Sequence, residues 1–175
     1  MNDTIAAIST AFGEAAISVL RLSGADALRI ADKIFSGKSN LAEAAPRTAH
    51  HGRIVDAEGR VVDSVLLTVF KAPASYTGED VIEISAHGGV LVTRRIFELL
   101  LQHGARAAGP GEFTQRAFLN GKMDLTQAEA VMDLIHAQSE LALQAATRQL
   151  EGRLGRVADA IRSDLIQIVA HVEAY

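Results

Sequence analysis

Three charged side chains stand where their neighbours lead one to expect something else, and they are the first candidates for chemistry. Glu83 lies in the run VIEIS, whose β-branched residues favour a strand. Side chains alternate along a strand, so Ile82, Ile84 and Ala86 share one face while Val81, Glu83 and Ser85 share the other. A carboxylate buried there costs several kcal/mol unless it is paired or accepts hydrogen bonds. Arg21 makes the same break in ISVLRLS, where Ile17, Val19, Arg21 and Ser23 share a face. Two opposite charges on strand faces can form a structural ion pair with each other. They can equally line a pocket, the arginine gripping a carboxylate with two prongs and the glutamate accepting N–H donors from a planar heterocycle. Alternation does not choose between these. Lys122 follows the turn residues Asn120 and Gly121 in FLNGKMDL, a place where a lysine is ordinarily only solvated.

Other motifs weigh less. His87 precedes Gly88 and Gly89 at an expected strand-to-helix turn, where backbone N–H groups can hold an anion. GPGEF places Pro110 and Glu112 as punctuation at a helix start. The histidines His50, His51, His87, His103, His136 and His171 contain no i, i+4 pair and no HExxH, so no metal site is expected. Neither GxSxG, GxGxxG nor a GxxxxGK[ST] phosphate loop occurs. Nucleotide hydrolysis is therefore not expected within these residues, and binding is favoured over self-contained catalysis.

The elements that must position these residues fall into two zones. Residues 1 to about 118 hold all three prolines and all the strand-like runs. Ala15–Gly24 reads as a strand ending in a turn, followed by a short helix with Ser23 as its N-cap and Gly37 just past its end. HGRIVDAEGRVVDSVLLTVF reads as a hairpin turning at Asp56–Gly59, with SVLLTVF apolar on both faces like a central strand. GGVLVTRRIFELLLQHGA reads as an amphipathic helix stopped near Gly104. Strands interleaved with helices in this order predict a mixed α/β layer rather than a purely parallel sheet.

From about Asp124 the pattern is helical and free of proline. Asp124 and Gln127 resemble a capping box, and a second helix is expected from near Ser139. Leu150, Leu154, Val157, Ile161, Leu165, Ile168 and Val172 recur at three- and four-residue steps as one apolar stripe. The stripe runs to Tyr175 without a cap, which leads one to expect a fragment of a longer protein, the stripe awaiting partner helices or another subunit.

Composition bounds the rest. Of 175 residues, 49% are hydrophobic and 22% charged, the balance of a soluble globular protein with a substantial core. Net charge is −4 with Lys+Arg 17 against Asp+Glu 21, so no broad basic surface points to nucleic acid. Cysteine is absent, which rules out disulfides and thiol chemistry and suits a reducing compartment. The N-terminus lacks a secretory pattern and no run approaches the ~20 apolar residues of a membrane span, so a cytoplasmic location is expected.

Two long blocks carry a resemblance. SYTGEDVIEISAHGG and GPGEFTQRAFLNGKMDLTQAEAVMDLI, preceded by DTIAAIST and ISVLRLSG, closely resemble the N-terminal region of the bacterial MnmE (TrmE) family of tRNA-modification GTPases. Together they cover most of the first 140 residues, and the GEF…DLI block is highly specific. The resemblance implies an α/β folate-binding and dimerisation domain over residues 1–118, similar to the folate-binding domain of aminomethyltransferases. It implies the start of an incomplete all-α helical domain over residues 119–175. It further implies a homodimer through the N-terminal domain that holds a 5-formyltetrahydrofolate-type one-carbon carrier. With the FAD-dependent partner MnmG, such proteins add a carboxymethylaminomethyl-type group to the wobble uridine of certain tRNAs, driven by GTP hydrolysis with Mg2+ and K+. The family's folate contacts fall on the arginine of the LR-[IL]-SG strand, the second glutamate of TGED-x-x-E and the lysine of FLN-x-K, here Arg21, Glu83 and Lys122. The family's phosphate loop and C-terminal cysteine motif are missing from these residues, so no catalytic residue is expected here.

Two other readings stand beside this one. A stand-alone aminomethyltransferase-like enzyme would need a second folate-handling domain. A pure dimerisation scaffold would use Arg21 and Glu83 only to hold an interface.

Overall fold

The computed structural model describes residues 3–37 and 40–174, which divide into two compact units, Met1–Arg116 and Ala117–Tyr175. The first unit is built on one seven-stranded sheet. In chain order its strands are β1 (Ile5–Ile8), β2 (Ile17–Ser23), β3 (Phe35–Gly37), β4 (Thr48–Val55), β5 (Val61–Phe70), β6 (Val81–His87) and β7 (Arg106–Ala107). They lie in the order β3-β4-β5-β6-β2-β1-β7. Every pairing is antiparallel except β1 with β7. Helices α1 (Ala27–Ile34) and α2 (Val90–Gln102) fill the crossovers, and the mixed α/β layer expected from the element order is what forms.

Strand alternation divides the sheet into unlike faces. Leu20, Leu22, Ile82, Ile84, Leu67 and Val69 point to one side and are buried with Ile30 and Ile34 of α1 and Ile96, Leu99 and Leu100 of α2. In α1 the buried Ala27, Ile30, Ala31 and Ile34 recur at the helical period, which lays one stripe on the sheet. The opposite face is only partly covered: Ile5, Ser23 and Val81, in one row across it, are buried, and the rest is more open. The residues of β5 show this directly: Val65, Leu67 and Val69 are buried, whereas Leu66 between them is 45% exposed. The strand is interior to the sheet as expected, but only one of its apolar faces enters the core.

The hairpin turn at Asp56–Gly59 forms as read. Gly59 adopts φ 76° and donates its N–H to the Asp56 carbonyl at 3.0 Å. Asp56 Oδ1 also accepts from the Glu58 and Arg60 amides. The start of α1 differs from expectation. Its N-cap is Asp26, without a side-chain cap bond, and Ser23 is instead the last residue of β2. The hydroxyl of Ser23 is taken by tertiary partners, Thr77 Oγ1 and Glu79 Oε2, each at 2.6 Å. Gly37 likewise lies in the short edge strand β3 rather than at a helix C-terminus. The strand β1 within DTIAAIST carried no reading from pattern alone.

Helix α3 (Glu112–Leu119) leads from the first unit into the second, which continues with α4 (Leu125–His136), α5 (Glu140–Leu150) and α6 (Arg153–Glu173). The capping box is complete. Asp124 Oδ1 accepts from the Gln127 amide at 2.8 Å, and Gln127 Oε1 accepts from the Asp124 amide at 2.9 Å. Ser139 caps α5 by accepting from Ala142 N. Gln127 Nε2 donates to the Leu150 carbonyl and Gln149 Nε2 to the Thr126 carbonyl, so the start of α4 is tied to the end of α5. The apolar stripe is not continuous as expected, because Gly152 at φ 72° separates α5 from α6. Leu150 therefore belongs to α5, while Val157, Ile161, Leu165, Ile168 and Val172 remain exposed along α6. The Leu154 side chain and Tyr175 lie outside the described residues.

Candidate functional site

β2 and β6 run side by side in a register that sets Arg21 opposite Glu83. Arg21 Nε and Nη2 both donate to Glu83 Oε1, at 2.9 and 2.7 Å. The two side chains keep 25% and 28% of their surface exposed, on the sheet face away from the helices. Glu83 is thus not inside the core, where its apolar neighbours suggested it would lie. It occupies a half-open face that leaves its other oxygen, Oε2, outside this pair. The row across the sheet continues through Thr68 and Ala49 on one side and Ala7 on the other, all short side chains. A partly solvated pair of this kind contributes on the order of 1 kcal/mol at most to folding.

Two aromatic rings bracket the guanidinium. Arg21 Cζ lies 5.0 Å from the centre of the Tyr76 ring and 5.6 Å from that of Phe113. Planar, weakly hydrated guanidinium stacks readily on such faces. Tyr76 belongs to the segment between β5 and β6, whereas Phe113 belongs to the first turn of α3. Their elements are joined by a 2.9 Å hydrogen bond between Tyr76 Oη and Thr114 Oγ1.

The same two elements are joined again by Arg116, which is 1% exposed. Arg116 Nη1 donates to the Asp3 carbonyl at 2.8 Å and to both Glu79 carboxylate oxygens at 3.2 Å. Its Nη2 donates to Asp3 Oδ1 at 2.9 Å and to Glu112 Oε1 at 3.1 Å. Burial opposes its charge, but bonding to Glu112 and Glu79 outweighs that and raises its pKa. Glu112 also accepts from Arg106 Nη1 and Nη2 and from the Gly109 amide. These donors, Arg106 first, hold the Glu112 carboxyl down to about 2. Arg106, bonded in addition to Asp3, is raised in turn, and the Asp3 carboxyl is lowered chiefly by Arg106.

Of the three residues singled out by sequence, Arg21 and Glu83 are brought together within the first unit. Lys122 belongs to the second unit, where its amide donates to the Ala117 carbonyl at 2.8 Å beyond the Gly121 turn. His87 Nδ1 lies 2.7 Å from Asp63 Oδ1, and the His87 amide donates to Asp63 Oδ2. Among the described residues no cluster of three or more His, Cys, Asp or Glu suits a metal ion. Tyr76, Phe113 and Arg116 carried no reading from sequence. Glu79, in the TGED run before β6, is a partner of buried Arg116. The spacing of Glu112 and Arg116, four apart on one helix, was the available signal.

Comparison with known proteins agrees across the chain. The family model described as GTP-binding protein TrmE N-terminus matches residues 4–122, and the model described as MnmE helical domain matches residues 125–175. Relatives named tRNA modification GTPase MnmE include that of Listeria welshimeri, 52% identical over 171 residues, and that of Lactococcus lactis subsp. cremoris strain SK11, 53% identical over 171 residues. The relative from Bacillus subtilis strain 168 is 52% identical over 174 residues. Each alignment takes in 98% of this chain but only 37% or 38% of the relative, so the chain spans little more than a third of their length.

Proposed function

The chain belongs to the family of the GTP-binding protein TrmE N-terminus, and from that premise we propose that it forms the folate-binding and dimerising part of a tRNA-modification GTPase. The observation that carries the folate reading is the Arg21–Glu83 pair, held on a half-open sheet face between two aromatic rings. The residues fit such a group chemically. A pterin presents adjacent N–H donors, and Glu83 Oε2 stands outside the bonds to Arg21, which converge on Oε1. Flat heterocycles stack on aromatic faces such as those of Tyr76 and Phe113. The carrier's glutamate tail is anionic and suits Arg21 or Lys122, each such charge-assisted bond contributing roughly 1.5–3 kcal/mol. When bound, the carrier would supply a one-carbon unit; the chain's own residues bind and orient it.

On this reading the domain is of the aminomethyltransferase folate-binding type. GTP, Mg2+ and K+ are handled by parts of the longer protein that these residues do not include. The whole protein works as a cytoplasmic homodimer with the FAD-dependent MnmG partner on the wobble uridine of tRNA. The names of the relatives support the tRNA-modification role. No helix among the described residues is long and apolar enough to cross a membrane. Calorimetry with 5-formyltetrahydrofolate tests the central claim: Glu83→Gln should weaken binding, and undiminished affinity would rule Glu83 out as the pterin anchor.

A further inference from the structure

We propose that Arg116 and Glu79 are positioning residues of this site, setting ligand affinity through the spacing of the Tyr76 and Phe113 rings; the inference rests on the folate reading above. Neither ring is carried by the sheet that holds Arg21 and Glu83. Tyr76 rides on the segment before β6 and Phe113 on α3, two elements distant in sequence with no backbone ladder between them. Their relative placement depends on side chains. Arg116 supplies the deepest of these ties, because one guanidinium grips Glu79, three residues after Tyr76, and Glu112, the residue before Phe113. Arg116 is itself four residues from Glu112 on the same helix, so that bond stays within α3, and the bond to Glu79 is the one that crosses to the other element.

Glu79 is then coupled to the strand beneath. Its Oε2 accepts from Ser23 Oγ at 2.6 Å, and Ser23 lies two residues beyond Arg21 on the same face of β2. Ser23 and Thr77 are fully buried and share a 2.6 Å hydrogen bond, which pins the residue after Tyr76 to the strand. A path of short bonds thus runs from α3 through Arg116, Glu79 and Ser23 to the strand bearing Arg21. Each link fixes the height of one ring relative to the ion pair. Arg116 and Glu79 spend their bonds on each other and on Asp3, Glu112 and Ser23, so they act through Tyr76 and Phe113.

The test uses the 175-residue chain with Glu79→Gln, which keeps the shape of the side chain and removes the charge facing Arg116. Three measurements are made: calorimetric affinity for 5-formyltetrahydrofolate, thermal midpoint, and the ring resonances of labelled tyrosine. With only two tyrosines in the chain, the Tyr76 signal is assigned by Tyr76→Phe. The expected result is a shifted Tyr76 resonance and an affinity loss of about tenfold, the equivalent of about 1.4 kcal/mol. Affinity within twofold of the parent and an unmoved Tyr76 resonance would overturn the proposal. Should Glu79→Gln not fold, Ser23→Ala removes only the hydroxyl link; the same shift with a smaller affinity loss is then expected, and no change in either overturns it. If the parent chain binds no folate, or Glu83→Gln binds undiminished, the folate reading fails, while the Tyr76 resonance still reports whether Glu79 positions the ring.

Discussion

Arg21 sends two guanidinium nitrogens to one oxygen of Glu83, at 2.9 and 2.7 Å, rather than one to each. The pair is therefore half of the two-pronged grip that arginine and carboxylate can form. Stability and binding should respond differently to its loss. Glu83→Gln is expected to change the thermal midpoint little, because a partly exposed pair contributes at most about 1 kcal/mol. Its affinity for 5-formyltetrahydrofolate should fall by about tenfold or more, since one charge-assisted bond amounts to roughly 1.5–3 kcal/mol. Arg21→Lys keeps the charge but loses the planar guanidinium beside Tyr76 and Phe113, and should also weaken binding.

Acid should loosen the junction around Arg116. The Glu112 carboxyl is lowered from 4.5 to about 2, principally by Arg106. A depressed carboxylate adds stability above its unfolded value and loses it as the pH falls through the folded one. Thermal midpoints should therefore drop between pH 4.5 and about 2, with Asp3, also lowered, adding to the slope. Glu112→Gln should flatten this part of the profile and, at neutral pH, lower stability by on the order of 1–2 kcal/mol, allowing for solvent at half-exposed Arg106. A pH profile unchanged by the substitution would contradict this.

Gly88 permits a close crossing that no other residue would. Its carbonyl accepts from Ala15 N at 2.9 Å and its amide donates to the Ala16 carbonyl at 3.3 Å, and an added Cβ would collide with the Ala15 backbone. Gly88→Ala should destabilise the first unit by roughly 1–3 kcal/mol, as overpacking against backbone does. Chemical denaturation should read this as a lower midpoint with the slope unchanged.

In the second unit Asp124 Oδ1 accepts from the Gln127 amide and the Thr126 hydroxyl, bonds local to α4, whereas Gln127 also reaches the end of α5. Asp124→Ala should cost about 1 kcal/mol of helix capping. Gln127→Ala should cost more, since its side chain both closes the capping box and holds the Leu150 carbonyl. Far-ultraviolet circular dichroism during thermal melting orders the two variants; the reverse order would mean that the Leu150 bond contributes nothing.

Dimerisation is checked by sedimentation at micromolar concentration. The proposed function requires a species of twice the 18.6 kDa chain mass. Monomer alone at those concentrations would count against it.

How far the sequence reached depended on whether an interaction was local. Arg21 and Glu83 were legible because a period of two makes a charge among apolar residues visible within one strand. Their in-register pairing was not, since nothing local says that β2 and β6 are neighbours. The capping box and the Asp56–Gly59 turn were legible because their bonds close within four residues. Ser23 was misread for the same reason: SGAD offers a local cap, but Thr77 and Glu79, distant in sequence, hold its hydroxyl. Arg116 escaped notice because an arginine on an amphipathic helix resembles a surface residue until three acids from separate segments surround it. The break at Gly152 was hidden because the three- and four-residue rhythm of apolar residues resumes on the far side of the glycine.

A sheet packed under two helices on one side and only partly covered on the other keeps two vocabularies apart. Along β2 and β6, even-numbered residues speak to the core; of the odd-numbered ones, Ser23 and Val81 are buried as well, and the half-open Val19, Arg21, Glu83 and Ser85 speak to the surroundings. A change in the second set alters no core volume. The scaffold can therefore acquire a new ligand preference by exchanging those four half-open positions while its melting behaviour stays nearly constant, which makes ligand choice and thermal endurance separately inheritable traits of the same strands.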